Sequence, residues 1–295
     1  MPTTPPDQGP FYDRMRELGW VYGQNYVVER RAYGDQLERI PELAAELMRS
    51  GVDIFLASGN TIARRLQQVT RTIPIVTFDA GDLVQGELAA SVARPGGNVT
   101  GVQTLIPEMV GKHLALLKEA IPGLSRSGVL RGGGPGTSEA DRRSGTVTLR
   151  SAEASAKALG IRLQTVEASG VETFNTAFSA FRVGRAQGVL VVRTAFLFTH
   201  QKTVADLALK HRLPAISDIP AFATNGGLIS YGYDPREASR LLAETIDQIL
   251  RGAKASETPL RQVTTFRLSI NLKTAKALGL TIPPSLLQRA DQVIE

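Results

Sequence analysis

Short, nearly unbroken apolar runs recur along this 295-residue chain: VDIFLAS, IPIVTFD, SGVLRG, GVLVVRT and PAISD. Runs of this length, without polar alternation, are expected of strands covered on both faces, and so of a parallel sheet flanked by helices. The segments between them supply those helices. In LERIPELAAELMRSG, residues Leu37, Ile40, Leu43, Ala44 and Leu47 share one helical face, and Gly51 follows the end. TIARRLQQVT spaces Ile62, Leu66 and Val69 in the same way. The spacing predicts further helices in FYDRMRELGW, PEMVGKHLALLKEAI, an Ala-rich stretch ending at Gly160, VETFNTAFSAFRVG, KTVADLALKHR, IPAFATNGG and PREASRLLAETIDQILRG. Further strands are expected in YVVERRA, RLQTVEA, GLISYGYD and QVTTFRLSIN. The fold class is α/β, with two sheet-forming halves.

Composition narrows the function. Apolar residues make up 42% and charged residues 21%, as in ordinary globular chains. The net charge of +6 comes from scattered pairs such as Arg30-Arg31, Arg64-Arg65 and Arg142-Arg143 rather than from a basic run, which argues against nucleic-acid binding. With no cysteine there are no disulfides, thiolate metal sites or Cys nucleophile. The start, MPTTPPDQGPFYDRMRELGW, lacks the pattern of an export signal.

Doubly wound sheets bind ligands beyond the carboxyl ends of their strands, so the chemistry is sought in ASGNT, TFDAGD, RGGGPGTSEAD, VRTAFLFTH, ISDIPAF and SYGYD. RGGGPGTS lacks the third glycine of a dinucleotide fingerprint, Thr137 standing in its place, and has no P-loop Lys. There is no nucleophile elbow and no metal-ligand spacing among the three histidines, so no cofactor and no metal are expected. His200 could act as a base and Asp79 with Asp82 as an acid-base pair, but capping and turn duty suit all three better. The loops do offer binding chemistry. Ser58, Gly59, Asn60 and Thr61 form one small-residue turn before a helix, and Thr137 with Ser138 form a second, where backbone N–H groups can meet a carboxylate. Phe78, Phe196, Phe198, Phe222 and Tyr231 could sandwich a planar ligand, or could simply pack in the core.

RPGGNVTGV, NGGLISYGYD and the ending INLKTAKALGLTIPPSLLQRADQVIE resemble the substrate-binding components of bacterial ABC transporters, in the tryptophan/tyrosine-type family with the type I periplasmic-binding-protein fold. The likeness runs from LGWVYGQN to the last residue. It implies two Rossmann-like lobes with parallel sheets joined by a three-strand hinge, residues 1–99 plus 234–266 forming one lobe and 100–233 plus 267–295 the other. RPGGNVTGV would be the first crossing, a point near SYGYD the second, and one between TTFRLSIN and the C-terminal helices the third.

The resemblance also implies a ligand-binding set of Ser58, Gly59, Asn60, Thr61, Phe78, Asp79, Gly134, Thr137, Ser138, Thr194, Phe196, Asp218, Phe222 and Tyr231, with no catalytic residue. It implies a small aromatic or carboxylate-bearing ligand held between lobes by hinge closure, membrane subunits of a transporter as partners, a monomer and a periplasmic location. RGGGPGT replaces an Asn-rich loop frequent in the family, which leaves the ligand open. The family's export signal and first strand are missing ahead of FYDRMRELGW, so a start upstream of Met1 is expected. If Met1 is the start, the protein is cytoplasmic. An α/β enzyme acting on a small carboxylate or sugar-like substrate and a truncated, non-functional paralogue remain alternatives. A sugar-repressor-type regulator would need a helix-turn-helix, for which there is no room before Trp20.

Overall fold

The computed structural model describes residues 9–34, 36–103, 106–133 and 139–295. In chain order its elements begin α1 (Pro10–Glu17), α2 (Ile40–Arg49), β1 (Phe55–Ser58), α3 (Gly59–Val69), β2 (Ile75–Ala80) and β3 (Val99–Gln103). They continue with α4 (Ile106–Ala120), β4 (Arg126–Gly132), α5 (Glu139–Ala158), β5 (Arg162–Ala168), α6 (Val171–Val183), β6 (Gly188–Val192), α7 (Ala195–Thr199), α8 (Gln201–Lys210), β7 (Ala215–Ser217) and β8 (Ile229–Tyr233). The last are α9 (Pro235–Leu250), β9 (Arg261–Gln262), β10 (Phe266–Asn271), α10 (Leu272–Leu278), α11 (Pro284–Gln288) and β11 (Gln292–Ile294). The chain forms two compact units, Met1–Leu105 with Asp234–Thr264, and Ile106–Tyr233 with Thr265–Glu295.

Unit 1 carries a four-stranded sheet in the order β1-β2-β3-β9, parallel throughout. Its core gathers Ile40, Ala44, Phe55, Ile62, Leu66, Ile75, Leu83, Val99 and Leu260, so the periodic faces of α2 and α3 land where their spacing predicts. RPGGNVTGV is built into this unit. Gly96 donates its N–H to the Ser256 carbonyl at 3.0 Å, and buried Asn98 donates to the carbonyls of Thr70 (3.0 Å) and Ile73 (2.9 Å). The rest of the motif is β3, whose neighbours β2 and β9 both belong to the same sheet. Gly101 has φ +133°, and a Cβ there would stand 2.3 Å from the Thr77 carbonyl oxygen. No other residue fits that backbone. The register between β2 and β3 slips beside it, between Thr77 and Ala80.

The strand expected in YVVERRA does not form. Tyr26 pairs with Tyr22 in an isolated bridge that no ladder extends among the described residues, and Val27 is 68% exposed. Alternating side chains favour extended backbone, but a strand exists only through a partner ladder, and among the described residues β1 pairs with β2 alone. Trp20 anchors the preceding turn by donating from Nε1 to Asp247 of α9 at 2.8 Å.

Unit 2 carries seven strands in the order β11-β10-β8-β7-β6-β4-β5. All pairs are parallel except β10 with β8. β8 leads the chain out of the unit and β10 leads it back, so these neighbours run oppositely. One face packs α4, α5, α10 and α11 through Leu114, Leu117, Leu190, Ile216 and Leu286, and the other packs α6 to α8 through Phe174, Phe178, Phe181 and Phe222. Each fully buried Phe contributes about 1.5–3 kcal/mol in removing apolar surface from water. Gly128 of β4 leaves room for Phe181, whose ring would lie 2.6 Å from a Cβ there. Residues 219–227, expected as a short helix, instead make irregular turns: Phe222 N–H bonds Ile219 O at 3.0 Å and Gly227 N–H bonds Phe222 O at 2.9 Å. Pro220 contributes no N–H, and Gly226 at φ +103° closes the turn.

Candidate ligand-binding site

In unit 1 the carboxyl ends of β1 and β2 lie side by side, with Ser58 in register with Phe78. Ser58 occupies the N-cap position of α3 in an extended conformation, and Gly59 follows at φ +78°, which turns the strand sharply into the helix. Asn60 Nδ2 donates to the Asp82 carbonyl at 3.2 Å, tying α3 to the next loop. Arg64 makes a second tie, donating to the Gly86 carbonyl. A Cβ on Gly86 would come within 2.7 Å of Asn60 Nδ2, so this close approach needs glycine. Asn60 Oδ1 is shielded from solvent and accepts no hydrogen bond among the described residues. Asp82 is a turn residue: Oδ1 accepts from the N–H groups of Val84 and Gln85, both at 2.9 Å. The backbone of Asp79 lies in β2 and Thr61 in the first turn of α3.

In unit 2, Gly134, Thr137 and Ser138 lie outside the described residues. Just before them, Arg131 of β4 pairs with Glu167 of β5 at 3.3 Å, and Gly133 N–H bonds the Ala168 carbonyl at 3.0 Å. Beyond β6, Thr194 caps the short helix α7, its hydroxyl accepting from Leu197 N–H at 3.2 Å. Phe196, partly buried, sits between Phe174 (5.2 Å between ring centroids) and His200 (4.9 Å), and Phe198 is exposed. Phe222 is 0% exposed in the core, its ring 2.3 Å from where a Cβ on Gly227 would stand.

The densest polar cluster follows β6 and β7. Arg193 and Asp218 are both buried, with Nε 3.1 Å from Oδ2 and the Arg193 backbone N–H donating to Oδ1 at 3.3 Å. The guanidinium also lies 5.3 Å from the centre of the Tyr233 ring. β8 passes close by because Gly232 has no side chain: a Cβ there would meet the Asp218 carbonyl oxygen at 2.1 Å. Behind β8, buried His113 of α4 bonds the Tyr231 carbonyl through Nε2 at 2.6 Å. Burial pushes the His113 imidazole below its ordinary pKa, against the pull of Asp218, and raises the Tyr233 phenol, against the pull of Arg193.

Of these residues, only Asp218 and Tyr231 were singled out from the sequence. Arg193, Tyr233 and His113 were missed. A charged residue directly after the apolar run GVLVV was the available signal. Among the described residues no cluster of His, Cys, Asp and Glu could hold a metal ion, and no helix is long and apolar enough to cross a membrane.

The sequence matches the family described as ABC transporter substrate binding protein over residues 8–294. It is 22% identical over 270 residues to a tyrosine-binding protein of Clostridioides difficile, a match covering 92% of this chain and 75% of that one. A conserved domain protein of Vibrio cholerae superposes with a TM-score of 0.86 at 24% identity, covering 96% of this chain and 93% of that one. An ABC domain in complex with L-Trp from Streptococcus pneumoniae superposes at 0.85 and 24% identity, covering 97% and 93%. These likenesses show the type I periplasmic-binding-protein architecture of parallel sheets in two sets. The chain therefore belongs to the ABC transporter substrate-binding protein family.

Proposed function

We propose that this protein is the ligand-capturing component of an importer for an aromatic amino acid, that it makes and breaks no bond, and that it works outside the cytoplasm, as a monomer, with membrane subunits of a transporter. Family membership supports the role, and the tyrosine-binding relative and the L-Trp-bound structural neighbour support the ligand class.

The observation in this chain that carries the reading is Asn60 Oδ1, an acceptor withdrawn from water just beyond the carboxyl end of β1 to which nothing donates among the described residues. Leaving such a group unsatisfied costs about 1–3 kcal/mol, a cost recovered when a ligand brings an N–H or O–H to it. Beside it, Ser58 and Phe78 supply a hydroxyl and a ring on neighbouring strands. In unit 2, Thr194 and Phe196, just beyond β6, and Tyr231, within β8, supply the same two chemistries. These loops are the proposed binding surfaces, and the ligand is held by hydrogen bonds and ring contacts with no cofactor.

A thermal-shift screen of L-tryptophan, L-tyrosine, L-phenylalanine, L-leucine and D-galactose tests the reading. A ligand held only by the folded form raises Tm with concentration. The aromatic amino acids are expected to do so, with weaker effect in Asn60→Ala. A flat response to all three, or recovery of a ligand chemically altered after incubation, contradicts the reading.

A further inference from the structure

Asp218 is placed more like a receptor than like a strut. Its side chain is 11% exposed and that of its partner Arg193 4%, so the carboxylate is the more accessible member of the pair. Its orientation is fixed from behind on both oxygens, Oδ1 by the Arg193 backbone N–H and Oδ2 by Arg193 Nε. Each oxygen keeps a further lone pair. Tyr231 and Tyr233 lie on β8, the strand beside β7, and the guanidinium is seated against the Tyr233 ring. A buried ion pair adds little net stability compared with apolar residues of the same size, so cohesion of unit 2 does not by itself account for one at the mouth of the sheet.

We propose that Asp218 accepts the ammonium group of a zwitterionic ligand and that Arg193 is the positioning residue that aims it. The inference rests on the proposed capture of an amino acid and names the group that reads its charged head. The charge balance sets the selectivity. Arg193 and Asp218 carry opposite charges, so the pair itself is neutral. A zwitterion keeps it neutral, its ammonium at Asp218 and its carboxylate balancing the guanidinium. A simple carboxylate brings a negative charge with no new partner, and a simple amine brings a positive one; in a partly dehydrated site both are penalised.

Isothermal titration calorimetry of the full chain with L-tryptophan, indole-3-propionate and tryptamine separates these cases. The three share the indole ring and differ in the charged head. Wild type is expected to bind L-tryptophan about 10- to 100-fold more tightly than either analogue, the range for one hydrogen bond to a charged group. In Asp218→Asn the gap between L-tryptophan and indole-3-propionate should shrink to within about threefold, and Arg193→Gln should shrink it partway. General loosening of the fold would weaken both ligands and leave their ratio unchanged. Should either variant fail to fold, the wild-type ratios decide alone.

Equal binding of L-tryptophan and indole-3-propionate by wild type overturns the proposal, as does an unchanged ratio in folded Asp218→Asn. Binding of L-leucine but not of 4-methylpentanoate, its counterpart without the amine, with no response to aromatic amino acids, would support the Asp218 assignment while overturning the aromatic ligand class. Failure of every amino acid to bind would overturn both.

Discussion

The two units solve the same architectural problem with unequal means. Unit 2 has seven strands and helices on both faces, with four buried phenylalanines on one of them. Among the described residues unit 1 has four strands, and Phe55 is the only aromatic among the buried residues of its core cluster. One edge of its sheet among the described residues is β1, half of whose residues are buried, and segment 26–32 forms no ladder with any described strand. Contact with large rings and a wide ladder makes unit 2 the more cohesive, and a narrow sheet with an unpaired edge makes unit 1 the part that opens first. Polar binding chemistry follows the same division: a shielded acceptor without a donor among the described residues in unit 1, and a buried ion pair in unit 2.

The comparison is broken most severely by Phe181→Ala. It should cost unit 2 about 3–5 kcal/mol, read by urea unfolding, because the ring fills buried space between β4 and α6. Gly101→Ala attacks unit 1 instead. Positive φ and a clash with the Thr77 carbonyl should together cost more than about 2 kcal/mol and should lower the protection of β2 and β3 amides in hydrogen exchange. If β4 and β6 lose protection equally, the two units do not differ as described.

A third test uses pH. His113 in the folded chain has a pKa below its ordinary 6.5, so the unfolded chain binds more protons as pH falls through that value. Stability is then full above about pH 7.5 and declines below 6.5, by at most about 1.4 kcal/mol per pH unit. Urea midpoints measured at intervals from pH 8 to pH 5 should show the decline, and His113→Gln should flatten it. The smallest effect expected is that of Asp82→Ala, which removes two turn hydrogen bonds in unit 1 at about 0.5–1.5 kcal/mol.

Much of this was readable in the residues because it is local. Apolar runs located β1, β2, β4, β6 and β7, and helical spacing located α2, α3, α6, α8 and α9, since burial on a sheet demands those periods. Asp82 read correctly as a turn residue for the same reason. What escaped is non-local. YVVERRA has strand chemistry, but whether a ladder forms depends on what lies beside it. Arg193 and Asp218 stand 25 positions apart with α7 and α8 between them, and only the parallel register of β6 and β7 joins them. Gly232 and Gly101 looked like ordinary glycines until the backbones they allow to approach were in place.

The central claim is that this chain holds an aromatic amino acid and releases it unaltered. Equilibrium dialysis of the purified protein against ring-labelled L-tryptophan and L-tyrosine, followed by mass spectrometry of what is recovered, tests it most directly. Saturable binding at one ligand per chain, with every labelled molecule returned intact, is the predicted result. No saturable uptake of either amino acid, or a labelled product of different mass, would contradict it.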